Sequence, residues 1–255
     1  MSKPQSQKKI VIVGATSAMA EHCARLWVAT GSVNELVLVG RDAARLNGLA
    51  ADLRVRAPAC TVELVEVSDF NATAPIEAGV ADACRTRCPD IVLVAHGSLP
   101  DQTRCQDNLN LAREALELNG LSPVLFAEAF MQRLVPAGRG TLVLIGSVAG
   151  DRGRRSNYVY GAAKGLVTRY AQGLQHRLAA SGTQVKVVLI KPGPTATPMT
   201  AHLPASKLAS VEEVAALIVR GAERGTPVVY APGKWALIMN VIRHLPALVF
   251  NRMDI

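Results

Sequence analysis

Seven short runs dominated by valine, isoleucine and leucine constrain this chain more than any other feature. They are Ile10–Val13, Glu35–Val39, Val62–Val67, Ile91–Ala95, Thr141–Ile145, Val185–Ile190 and Val228–Tyr230. They show little polar–apolar alternation, as expected of strands covered on both faces of a parallel sheet. Longer amphipathic stretches separate them, chiefly Ala18–Thr30, Ala43–Val55, Leu111–Leu134, Tyr158–Ala180 and Val211–Arg224. Strand–helix repetition requires βαβ crossovers. It predicts an α/β protein: one doubly wound, Rossmann-type parallel sheet of about seven strands with helices on both faces. Only 4% of the residues are aromatic against 49% hydrophobic, so aliphatic packing must build the core. That composition excludes a disordered or fibrous chain. The 255 residues suit one such domain, and no linker, repeat or low-complexity segment divides them.

Lys and Arg number 28 against 20 Asp and Glu, a net charge of +8. A basic balance favours anionic partners such as phosphorylated cofactors or an anionic lipid surface. Nucleic acid is not expected, because no dense basic stretch is interleaved with aromatics. Five cysteines (Cys23, Cys60, Cys84, Cys88, Cys105) form no CxxC pair. Cys84 and Cys88 fall four apart on an expected helix without a matching His pair, so reduced structural thiols are expected and no metal site. The polar start MSKPQSQKK leads into a short apolar strand. A secretory signal needs an apolar core of about 7–15 residues and a spanning helix about 20. A cytoplasmic protein is the expectation, with peripheral contact at the inner face of the membrane as its extension.

Two segments fall outside the repeat. Lys191–Ser210 carries four prolines after the sixth strand, where a long loop inside a compact domain serves function, often as a substrate lid. Lys234–Ile255 is apolar along Trp235–Ile242, broken by Pro246 and dotted with Arg243, His244 and Arg252.

The first strand runs into Gly14-Ala15-Thr16-Ser17-Ala18-Met19. A small-residue turn before a helix lets backbone amides approach a pyrophosphate. A plain strand-to-helix turn is the competing reading, since Gly14 is its one glycine. The second strand ends Val39-Gly40-Arg41-Asp42. An arginine at that strand end suits the 2′-phosphate of NADP, an acid the ribose hydroxyl of NAD. NADP(H) is therefore favoured over NAD(H), against a solvated loop cation at Arg41.

In Tyr158-Val159-Tyr160-Gly161-Ala162-Ala163-Lys164, Tyr160 and Lys164 share a helix face. An ammonium beside a phenol lowers its pKa and makes it a usable acid. Ser147 closes the fifth strand, Asn119 lies within a long helix, and Pro192-Gly193 with Thr195 and Thr197 follows the sixth strand. Singly these read as a helix cap, a helix kink and a turn. Together they resemble the short-chain dehydrogenase/reductase family over nearly the whole chain in order. The resemblance implies a catalytic tetrad of Asn119, Ser147, Tyr160 and Lys164. It implies cofactor contacts from Gly14, Thr16, Ser17, Ala18 and Met19, and from Glu66 and Val67. Ala95, His96 and Gly97 stand where the family has the motif that follows its fourth strand, and Pro192, Gly193, Thr195 and Thr197, with Tyr160 and Lys164, complete the set. Ala18, Ala20, Glu66 and His96 depart from the family's usual residues. The family acts through NAD(P)(H), and homodimers or homotetramers are its habit.

Arg152, Arg154 and Arg155 lie between Ser147 and Tyr160. Guanidinium grips phosphate in two-pronged fashion, so these are candidate substrate residues, against a solvated charge run. Arg-x-Arg-Arg before Tyr-Val-Tyr-Gly, with Tyr230-Ala231-Pro232 and Ile242-Arg243-His244-Leu245-Pro246, is similar to the reductases of decaprenylphosphoryl 2-keto-pentoses. That resemblance implies a polyprenylphosphoryl keto-sugar substrate and a flavin oxidase as partner. The tail then either docks on an anionic bilayer, packs on another subunit or covers the cleft. The alternatives are a reductase for a soluble ketone or alcohol, or a non-catalytic nucleotide- or partner-binding protein on the same fold.

Overall fold

The computed structural model describes residues 7–201 and 203–253. Seven strands form one sheet: β1 Lys8–Val13, β2 Val33–Gly40, β3 Thr61–Glu66, β4 Ile91–Val94, β5 Thr141–Ile145, β6 Lys186–Pro192 and β7 Val228–Ala231. Their order is β3-β2-β1-β4-β5-β6-β7 and every pairing is parallel. The chain runs outward from β1 to β3, returns to β4 beside β1, and then runs outward the other way. That reversal opens a crevice at the carboxyl ends of β1 and β4.

The helices are α1 Ala18–Ala29, α2 Ala43–Arg56, α3 Thr73–Ala83, α4 Gln102–Asp107, α5 Leu109–Leu116, α6 Ser122–Ala137, α7 Tyr158–Ser181, α8 Val211–Arg224, α9 Lys234–His244 and α10 Ala247–Phe250. Alternate strand residues feed two cores. Ile10, Ile12, Leu36 and Leu38 pack with α1, α2 and α8. Val11, Val13, Val37 and Val39 pack with α3, α6 and α7. Helix starts follow local chemistry: Ser17, Asp42 and Ser210 each accept a backbone N–H of the first turn, at 3.3, 3.0 and 3.1 Å. Gly138, Gly182 and Gly225 end α6, α7 and α8 in the left-handed conformation.

Two expectations need correction. The stretch Leu111–Leu134 is not one α-helix, because Glu117–Leu121 is a π-helical turn between α5 and α6. Pro123 has no N–H to return to the Asn119 carbonyl, so regular i→i−4 pairing fails there. Cys84 and Cys88 do not share a helix. Helix α3 ends at Ala83, and the next residues are drawn into an ionic cluster at the amino ends of the strands. Lys9 Nζ, fully buried, lies 2.5 Å from Glu35 and 2.5 Å from the Thr86 hydroxyl. Arg87 pairs with Glu35 and Asp90 at 3.3 and 2.9 Å. All five thiols are unpaired.

Burial pushes the Glu35 carboxyl up, but the hydrogen bonds from Lys9 and Thr86 and the charges of Lys9 and Arg87 outweigh it, and the net pKa falls below the ordinary range. Because the folded value is depressed, the stabilisation is complete above the unfolded pKa of about 4.3 and is lost as pH falls through the folded value. Glu35→Gln leaves the Lys9 ammonium buried without its counter-charge and should cost about 3 kcal/mol at neutral pH. Urea unfolding across pH should show wild type and variant converging in acid; parallel curves would remove this cluster from the stability account.

Candidate active site

The site lies where β1, β4, β5 and β6 end. Gly14 leaves β1 at φ +74, and a Cβ there would sit 2.6 Å from the backbone nitrogen of His96, so only glycine lets the two strand ends meet. The chain then enters α1 capped by Ser17, and Thr16, Ser17, Ala18 and Met19 line the cavity at the amino terminus of that twelve-residue helix. Its unpaired N–H groups suit a pyrophosphate. Arg41 is exposed past β2, its guanidinium 5.4 Å from the Phe70 ring. Asp42, the acid beside it, is spent on capping α2. Arg45, which sequence reasoning missed, donates from Nη2 to the Thr16 carbonyl at 2.8 Å and lines the cavity. Its signal was spacing: it stands one helical turn beyond Arg41, across the capping acid. Glu66 is exposed at the end of β3, and Val67 is buried with its N–H on the Gly40 carbonyl at 3.0 Å. Gly14, Arg41, Glu66 and Val67 are not among the lining residues but continue along the same sheet edge.

Ala95, His96 and Gly97 line the middle of the cavity. The His96 imidazole turns inward, edge-on to Phe70 at 4.9 Å and Phe126 at 5.5 Å. Ser122 donates to the Phe70 carbonyl at 2.5 Å, so it accepts from His96 Nε2–H at 2.9 Å. Burial, helped by the Lys164 and Arg41 charges, drops the His96 pKa to about 3 and keeps the ring neutral. The histidine is thus a packing residue whose backbone, with Gly97, forms the cavity floor.

Tyr160 and Lys164 project from α7, one turn apart. The short turn Val148–Gly150 lies flush on this helix: a Cβ on Gly150 would come 2.6 Å from the Lys164 carbonyl, and one on Gly161 2.9 Å from that of Ala149. This contact sets Ser147 opposite Tyr160. Ser147 accepts the Ala149 N–H at 3.1 Å, which leaves its own proton to give. Lys164 is buried and donates to the Ile145 carbonyl at 3.0 Å; burial lowers its pKa to about 8. Its ammonium sits 5.8 Å from the centre of the Tyr160 ring. The expected depression of the tyrosine pKa by this lysine is therefore not found. Burial raises the Tyr160 pKa, with the Ser147 hydrogen bond opposing, because the ammonium lies near the ring face and is bound to Ile145. The phenol keeps its proton at neutral pH. Asn119 is fully buried: its amide donates to the Ala115 carbonyl at 2.9 Å and its oxygen accepts the Ser98 N–H at 2.8 Å. The side chain clamps the π turn to the β4 loop.

The cavity, about 310 Å³, runs from Thr16 past the four tetrad residues to Pro192, Gly193, Thr195 and Thr197. Its carboxyl-edge position, helix terminus and row of small residues fit a dinucleotide. Lys191 and Pro192, expected in the loop, complete β6 by pairing with β7, so the loop begins at residue 193; it is pinched at its base by a bridge between Thr195 and Ala209, and Thr197 and Thr200 cap its short helical turn. The three arginines part company. Arg154 lines the cavity with its Nε buried and unpartnered among the described residues, and burial lowers its pKa. Arg152 does not reach the cavity, correcting that assignment: it donates to the Ile242 and Leu245 carbonyls at 2.5 and 2.7 Å and stacks on Phe250 at 3.8 Å. Arg155 is exposed and outside the lining. Trp235, also missed, packs so closely on Gly193 that a Cβ there would fall 1.9 Å from the indole nitrogen. The tail therefore borders the cleft, a contact between distant segments that no local pattern announces. The described part of the tail, to residue 253, contains no helix long and apolar enough to cross a membrane.

Comparison with known proteins agrees with this geometry. Residues 8–208 match the short chain dehydrogenase family. An uncharacterized oxidoreductase of Mycobacterium tuberculosis is 34% identical over 249 residues, 96% of each chain. Another, from Streptomyces coelicolor, is 31% identical over the same length and coverage. The fold is also that of a Comamonas testosteroni alcohol dehydrogenase specific for bulky-bulky ketones, with a TM-score of 0.77 and 24% identity over 98% of this chain and 96% of that one. With its tetrad assembled at the carboxyl edge of a seven-stranded parallel sheet, the chain belongs to the short-chain dehydrogenase family of NAD(P)(H)-dependent oxidoreductases.

Proposed function

We propose that this oxidoreductase is an NADPH-dependent ketoreductase for a ketone that carries an anionic group, with a polyprenylphosphoryl 2-keto-pentose as its substrate. The observation that carries the reading is Arg154, a cation whose buried Nε has no partner among the described residues and which lines the same cavity as Tyr160. A buried guanidinium N–H left without an acceptor is costly unless a ligand anion completes it. The side-chain oxygen of Asn157, a cavity-lining residue, is likewise without a partner among the described residues and suits a substrate hydroxyl. The sequence resemblance supplies the prenyl-linked pentose. A flavin oxidase as the source of the keto-sugar, and a homodimer or homotetramer, belong to the same proposal.

Arg41 and Arg45 flank the place of a 2′-phosphate, and Asp42 is committed to its helix cap. A nicotinamide dinucleotide bound along this cavity would supply the hydride. Ser147 donates its O–H to the substrate carbonyl oxygen and orients it beside Tyr160. Tyr160 gives its phenol proton to that oxygen, and its raised pKa means the proton is present at neutral pH. Lys164, protonated below about 8, returns a proton toward Tyr160 through a water held at the Asn119 carbonyl.

Tyr160→Phe should reduce turnover about a thousandfold while NADPH fluorescence titration stays unchanged. Reduction by the wild type should fall as pH rises above about 8, where Lys164 loses its proton; a flat profile would remove the lysine from the relay. Replacing Arg41 and Arg45 together by Ala should weaken NADPH binding about a hundredfold and leave NADH within about twofold. Equal losses for both dinucleotides would refute 2′-phosphate recognition. Arg154→Met should raise KM for a phosphorylated ketone at least about tenfold and spare an uncharged one; the anionic substrate is excluded if both are affected alike.

A further inference from the structure

Outside the cavity, α9 and α10 present an unusual surface. Their inner side is anchored: Met239 is buried, Trp235 rests on Gly193, and Arg152 holds the Ile242 and Leu245 carbonyls and the Phe250 ring. Their outer side is apolar and open, with Leu237 72%, Val241 54%, Leu248 79% and Val249 49% exposed. Contiguous exposed aliphatics of this kind mark a docking surface. Residues 232–253 contain Lys234, Arg243 and Arg252 and neither aspartate nor glutamate. All three cations are exposed, and among the described residues no carboxylate pairs with them.

The charge pattern selects the occupant. A second copy docking through the same face would bring these cations against their own equivalents, since a two-fold contact is self-complementary and residues 232–253 hold no acid to answer them. An anionic lipid surface meets both halves of the pattern, aliphatics entering the headgroup boundary and cations pairing with phosphates. Helix α9 has eleven residues, too few to cross a bilayer, so it lies on the surface. We propose that α9 and α10 form a platform that seats the protein on an anionic membrane, with the Trp235–Gly193 and Arg152 contacts fixing the cavity rim to that platform. The inference concerns the tail alone and stands whether or not the substrate is lipid-linked.

Flotation with phosphatidylcholine vesicles, with and without phosphatidylglycerol, tests it on the full chain. The wild type should bind the anionic vesicles and release them at high salt. Leu237→Glu with Leu248→Glu, and separately Arg243→Glu with Arg252→Glu, should each lower that binding at least about tenfold. NADPH titration of both variants should match the wild type, which shows that they are folded. Absence of wild-type binding to anionic vesicles overturns the proposal, as does binding that survives both double substitutions. It is also overturned if light scattering shows a wild-type oligomer that Leu237→Glu with Leu248→Glu dissociates, since the face then belongs to a second copy.

Discussion

A parallel sheet buried on both faces forces every strand to be followed by a crossover, and the carboxyl ends of all seven strands therefore share one edge. The chemistry of this protein depends on that constraint. Segments far apart in sequence (16–19, 95–99, 146–149 and 192–200) follow neighbouring strands and enclose one cavity. The aliphatic layers on the two faces hold the strand ends in register, so the site inherits the rigidity of the core.

Within that frame, burial sets the electrostatics. Lys164 is desolvated until its pKa approaches the working range, while the same burial holds the proton on Tyr160. The two shifts suit the roles proposed for them, the lysine as a proton carrier and the tyrosine as a donor. His96 shows the opposite use: pressed between Phe70 and Phe126, it stays neutral and joins the β4 end to the start of α6. That joint supports the π turn on which Asn119 is presented.

The tail is integrated with the site by polar ties. Asp151 accepts from Lys191 and, at 2.7 Å, from the Tyr230 hydroxyl, and its neighbour Arg152 grips α9 and α10. These bonds connect the loop after β5, the end of β6, β7 and the tail. Events on the outer surface of the tail are thereby mechanically close to the residues that line the cleft.

The repeat of β-branched runs determined the sheet, because strands buried on both faces need continuous aliphatic sequence, and the spacing of Tyr160 and Lys164 put them on one helix face, because one helical turn fixes which residues share a face. Helix caps at Ser17, Asp42 and Ser210 were equally local. Contacts between distant segments were not legible. Three similar arginines in a row gave no hint that Arg154 would enter the cavity while Arg152 turned to Ile242 and Leu245. Neither Tyr160's raised pKa nor the seat of Trp235 on Gly193 follows from spacing. Those outcomes depend on which groups lose water when the layers close, and desolvation belongs to the packed molecule rather than to any stretch of its sequence.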